Sequence, residues 1–99
     1  MIRHIVSWKL TAGDEAGKAS AIAEISAALT GLVGVIPEIV TLTVSRNIAY
    51  ADKNHDVVLI ADFDTLGGLD AYQTHPSHLS AAEIVKARVV ARASVDFEV

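Results

Sequence analysis

The stretch "DVVLIADF", Asp56–Phe63, decides the fold. After Asp56, and read with a period of two, it is apolar on both faces except at Asp62. A strand apolar on both faces sits inside a sheet and is covered twice. It therefore needs neighbours, and the chain supplies three. "IRHIVSWKL" (Ile2–Leu10) puts Ile2, His4, Val6, Trp8 and Leu10 on one face, with Arg3, Ile5, Ser7 and Lys9 on the other. That alternation reads as a strand. "EIVTLTVSRN" (Glu38–Asn47) is rich in β-branched residues, with Val40, Leu42 and Val44 opposed to Ile39, Thr41, Thr43 and Ser45. "VVARASVDFEV" (Val89–Val99) sets Val89, Ala91, Ala93, Val95, Phe97 and Val99 against Val90, Arg92, Ser94, Asp96 and Glu98.

Between the strands the period changes. From Asp14 to about Val33, Ile22, Ile25, Leu29 and Leu32 recur at steps of three and four among alanines, which is a helix. Asp14 and Glu15 suit its start, and Gly31, Gly34 and Pro37 its end. "DTLGGLDAY" begins a shorter helix that Asp64 or Thr65 can cap. "SAAEIVKAR" (Ser80–Arg88) continues after a break, with Ser80 and Glu83 spaced as a capping box. The order is β-α-β-β-α-β, a ferredoxin-like α+β arrangement. It predicts a four-stranded antiparallel sheet with helices on one face. The other face carries Ile5, Val58, Ile60 and Val90. A second copy of the chain, packed sheet to sheet, would cover it.

Composition narrows the function classes. The 99 residues make one domain, 1–99, with 52% hydrophobic but only 5% aromatic residues. Net charge is −4 and the eight basic residues are scattered, which argues against nucleic acid. There is no cysteine, so disulfides and thiolate chemistry are excluded. No signal peptide is evident, and the most apolar segment, Ala21–Ile36, is shorter than the ~20 residues of a membrane span. A soluble cytoplasmic protein with no membrane partner is expected. "LGGL" lacks the Lys-Ser/Thr of a phosphate loop, and no cofactor motif is present.

The chemistry-bearing residues gather in "AYQTHPSHL", Ala71–Leu79. A residue before proline avoids the α region, so His75 leaves the helix, and Pro76 suits the first turn of the next. His75 then either satisfies loose backbone groups at this corner or reaches a ligand. Ser77 and Ser80 are alternative caps. His75 and His78 straddle a proline and lack the i, i+4 spacing of a zinc pair, so no metal is expected. His55, in the polar loop "DKNHD", is expected to face solvent.

These motifs resemble the stress-responsive A/B barrel (Dabb) family. The resemblance rests on Arg3-His4-Ile5-Val6, on Phe63 with Tyr72, His75-Pro76 and His78, and on Val95-Asp96-Phe97. It implies a homodimeric α+β barrel of unassigned activity, binding a small apolar or aromatic ligand between sheet and helices. One enzymatic branch of the family, a plant polyketide cyclase that forms olivetolic acid, carries a similar Tyr-x-x-His-Pro-x-His segment. The resemblance to it implies His78 as general base and Tyr72 as the group that binds or polarises substrate, and Asp96 matches an aspartate of its last strand. The chain departs from that branch at Val57, where the cyclase has a histidine; His55 stands two positions earlier.

Two readings of Tyr72, His78 and Asp96 follow. As a catalytic set, His78 removes a proton beside a carbonyl, Asp96 orients His78, and Tyr72 holds the oxygen. As a structural set, they form a buried hydrogen-bond network. His4, Trp8, Leu59 and His75 are the candidate ligand-binding residues. A cofactor-free monooxygenase of the same dimeric architecture is a third possibility, from fold analogy alone.

Overall fold

The computed structural model describes residues 1–99. The strands are β1 (Ile2–Leu10), β2 (Ile39–Arg46), β3 (Val57–Phe63) and β4 (Val89–Glu98). The helices are α1 (Glu15–Thr30), α2 (Leu66–Thr74) and α3 (Pro76–Lys86). The sheet is antiparallel in the order β2-β3-β1-β4, so β1 and the doubly apolar β3 lie at its centre. The ferredoxin-like α+β fold is as expected. The core joins Val6, Trp8, Leu59, Ala61 and Phe63 of the sheet to Ile25 and Leu29 of α1, Leu69 and Tyr72 of α2, and Ala81 and Val85 of α3. All of these sheet residues share one face, and the helices cover that face only.

Two bulges shift the expected strand faces. On β2, Ile39 pairs with Phe63 but Thr41 with Asp62, so Val40 is an extra residue. Ile39 thereby joins Leu42 on the helix side, where strict alternation opposed them. On β4, Lys9 pairs with Ala91 and Leu10 with Val89, leaving Val90 as the extra residue. Val89 is thus parted from Ala91, and Val90 does not join Ile5 on the open face. Beyond the bulge, Arg92, Ser94 and Asp96 stand opposite Trp8, Val6 and His4, on the helix side. Ala93, Val95 and Phe97 lie opposite Ser7, Ile5 and Arg3, on the open side. The polar face of β4 therefore looks toward the helices.

Helix ends account for other differences. Helix α1 stops at Thr30, three residues short of Val33, with Gly31 as its last cap. Thr65 caps α2 by accepting the Gly68 N–H at 3.0 Å. The Ser80 box does not form, because α3 already begins at Pro76 and Ser80 lies inside it. His75 is the hinge of the corner, extended at φ −63° and ψ 135°. Its ring Nδ1 accepts the Ser77 N–H at 3.0 Å and so caps α3, the backbone-satisfying role expected of His75, and neither alternative, Ser77 or Ser80, is the cap.

Candidate active site

A cavity of about 360 Å³ opens between β1, β4 and the helices α2 and α3. That is within the roughly 300–1,000 Å³ typical of small-molecule sites. Its walls are mostly apolar, including Val6, Trp8, Leu29, Leu59 and Val85. Its polar groups are few, and three of them are aromatic: His4, Tyr72 and His78.

Strand β1 delivers His4. Its alternation places His4 on the buried face, and the residue is 4% exposed. The register sets Asp96 directly opposite, and its carboxylate accepts the hydrogen of His4 Nδ1. Helix α2 delivers Tyr72, which is 1% exposed and packs against Phe63 at 5.0 Å between ring centroids. The first turn of α3 delivers His78. Its ring stands 4.4 Å from that of Tyr72, against 6.1 Å from Tyr72 to His4.

The hydrogen bonds fix which nitrogens are free. A carbonyl only accepts, so the 3.0 Å contact between His78 Nδ1 and the Gln73 oxygen places a hydrogen on Nδ1. In the neutral ring Nε2 is then a bare acceptor. The His4–Asp96 bond does the same for His4. Neither Nε2 has a partner within the chain, nor has the Tyr72 hydroxyl. Yet the one enclosed side-chain polar atom without a partner is on Glu38, so these three atoms remain open to the cavity. Burial pushes the His78 pKa below 6.5, and His4, Arg92 and His75 push the same way against the Gln73 carbonyl. His78 is thus neutral at pH 7. Burial pushes the Tyr72 phenol up to about 12, so it stays protonated and donates. The set can bind an oxygen at Tyr72 and accept a proton at an imidazole nearby.

Six of the seven sequence-chosen residues meet here. His4, Trp8, Leu59, Tyr72 and His78 line the cavity, and Asp96 touches it through His4. Two roles change. Asp96 orients His4 rather than His78, because β4 pairs in register with β1 while His78 turns toward its own corner. His75 does not line the cavity; its ring is used as the cap of α3. His55 is half-buried rather than fully exposed, because Ser7 Oγ holds its Nδ1 at 2.9 Å on the open side of the sheet. Sequence reading missed Gln73, which acts through a main-chain carbonyl and leaves no side-chain signal. It also gave Arg92 no place in the site, although its parity with Asp96 was legible. No three His, Asp or Glu side chains converge as metal ligands. No helix is long and apolar enough to cross a membrane.

No curated protein is significantly similar to the chain. Solved structures are. A dimeric protein of unknown function with a ferredoxin-like fold from Bacteroides fragilis is 28% identical, with a TM-score of 0.88 over 99% of this chain and 95% of that one. A dimeric ferredoxin-like protein of unknown function from Thermobifida fusca is 29% identical, with a TM-score of 0.79 over 99% of this chain and 90% of that one. The hydroxynitrile lyase of Passiflora edulis shares the fold at 14% identity, with a TM-score of 0.74 over 97% and 90%. The family model of the stress-responsive A/B barrel (Dabb) domain matches residues 2–99, and the chain belongs to that family.

Proposed function

We propose that the chain works as a homodimer that binds a small, mostly apolar carbonyl compound in this cavity and moves a proton at the carbon beside the carbonyl. The observation that carries this reading is one apolar cavity holding two imidazoles and a protonated phenol, all with free polar atoms. The Tyr72 hydroxyl donates to the carbonyl oxygen. His78 Nε2 takes the proton from the adjacent carbon; the C–H pair becomes the enolate π bond, and the charge moves to the oxygen at Tyr72. His78 serves as base because its ring is the nearer of the two to Tyr72. His4, fixed by Asp96, is a second proton site in the same cavity.

The dimer is supported by the open sheet face, where Ile5, Val58, Ile60, Val95 and Phe97 have no cover, and by the dimeric relatives. The absence of cysteine suits a reducing compartment, the cytoplasm.

Thermal unfolding in the presence of β-keto acids, aromatic acids and flat polyphenols tests binding. A compound at ~100 times its Kd adds about 2.7 kcal/mol, and each kcal/mol moves the midpoint of a domain this size by roughly 4–8 °C. The same compounds in deuterium oxide test the chemistry. Deuterium enters the position beside the carbonyl with the native chain and stops with His78→Ala. Stabilisation without exchange makes the protein a binder only, and stabilisation unchanged in both Tyr72→Phe and His78→Ala puts the ligand elsewhere.

A further inference from the structure

One cation in the cavity lining has no counter-ion. Of the four arginines, Arg3 pairs with Asp62, Arg46 with Glu15 and Arg88 with Glu24. Arg92 has no carboxylate partner; its one side-chain bond is from Nη1 to Ser94 Oγ at 3.2 Å. It lines the cavity and stands opposite Trp8, whose indole forms part of the wall. The acid nearest on its own strand face, Asp96, is four residues away, about 13 Å along a strand, and is engaged with His4. No Asp or Glu lines the cavity. Lys86, the other cation there, is paired with Glu83 at 3.6 Å. Acids outnumber bases twelve to eight in the chain, so a lining that holds cations alone is not a reflection of composition.

A guanidinium offers a planar fork of donors that fits a carboxylate in two parallel hydrogen bonds. Mounted at the mouth of an apolar cavity, it selects an amphipathic anion. We propose that the molecule this cavity takes is an apolar monocarboxylate, its carboxylate held by Arg92 at the mouth and its body packed among Trp8, Leu59 and Val85. This inference rests on the reading of the cavity as a ligand site and names the ligand's class.

The test uses two probes of one shape, 3-phenylpropanoate and its primary amide, 3-phenylpropanamide. Each is titrated into the full chain and followed by the NMR shifts of the Trp8 indole and the β4 amides. The native chain binds the acid at least about tenfold more tightly than the amide, the scale of one charged hydrogen-bonded contact. Arg92→Gln removes that preference by weakening the acid alone, and Arg92→Lys keeps part of it. Equal affinities in the native chain, or a preference that survives Arg92→Gln, overturn the carboxylate assignment while leaving the cavity a ligand site. If neither probe moves the Trp8 signal at millimolar concentration, both the assignment and the ligand-site reading fall.

Discussion

His4 and Asp96, ninety-two residues apart in sequence, are register partners across β1 and β4, and the carboxylate of one holds the imidazole of the other. The pairing of the first and last strands thus assembles half of the site. His4 is buried, so removing its acceptor leaves a buried N–H unsatisfied. Asp96→Ala is predicted to cost about 1–3 kcal/mol. His78 is half-exposed and bonded only to a carbonyl of its own corner, so His78→Ala costs about 1 kcal/mol or less. Urea midpoints of the two variants check the order; equal losses contradict it.

Tyr72 separates packing from chemistry. Its ring lies in the core but its hydroxyl has no partner in the chain. Tyr72→Phe is predicted to keep stability within about 0.5 kcal/mol, yet to weaken ligand binding by up to about tenfold and to stop exchange. Tyr72→Ala opens a cavity and costs about 3–5 kcal/mol. Calorimetry with and without ligand reads both effects.

His75 has the opposite assignment. It caps α3 and lies off the cavity. His75→Ala is predicted to cost about 1 kcal/mol, restored by His75→Asp or His75→Asn, with no change in ligand affinity. A loss of affinity in the Asp variant would return His75 to the site.

Stability should fall with acid in two stages. His78 has a folded pKa below 6.5, so the unfolded chain binds its proton first. Its contribution is full above 6.5 and is lost as pH falls through the window below that value. Asp62 is held below 3.8 by the hydrogen bond from Arg3, with further help from Thr41. For Asp56, burial pushes upward but is outweighed by the Leu10 N–H and by Lys18 and Lys9, and its pKa also lies below 3.8. Both carboxylates contribute fully above 3.8 and lose that contribution as pH drops through their folded values. Urea midpoints against pH should show both stages in the native chain and only the second in His78→Ala.

The open sheet face predicts the assembly. Ile5, Ile60 and Val95 are neighbours there by register. Light scattering should give a dimer for the native chain and a monomer for Ile5→Glu. A native monomer at micromolar concentration contradicts the dimer.

Most of the fold was legible because β3 could only be central and β1 alternates without fault. The errors cluster where one extra residue enters a strand. Val40 and Val90 each fit an alternating pattern as well as their neighbours do, so nothing local marks a bulge. The pull that creates them is tertiary: Ile39 must reach Phe63 and Val89 must reach Leu10. The corner Tyr72–His78 was legible in residue type, since proline forces a break before it. The partners were not. Which imidazole Asp96 meets depends on strand register, and the carbonyl of Gln73 is the same atom in every residue. Likewise Ser80 and Glu83 satisfied the spacing of a capping box, but Pro76 started the helix a turn earlier with His75 as cap.

Long-range proton–nitrogen NMR of the imidazole rings at pH 7 is the sharpest test of the proposed proton transfer. His4 and His78 are both predicted to carry hydrogen on Nδ1, His78 to be neutral, and both Nε2 signals to move when a carbonyl ligand binds. A charged His78, or either ring with its hydrogen on Nε2, would remove the free acceptors on which the proposed proton transfer depends.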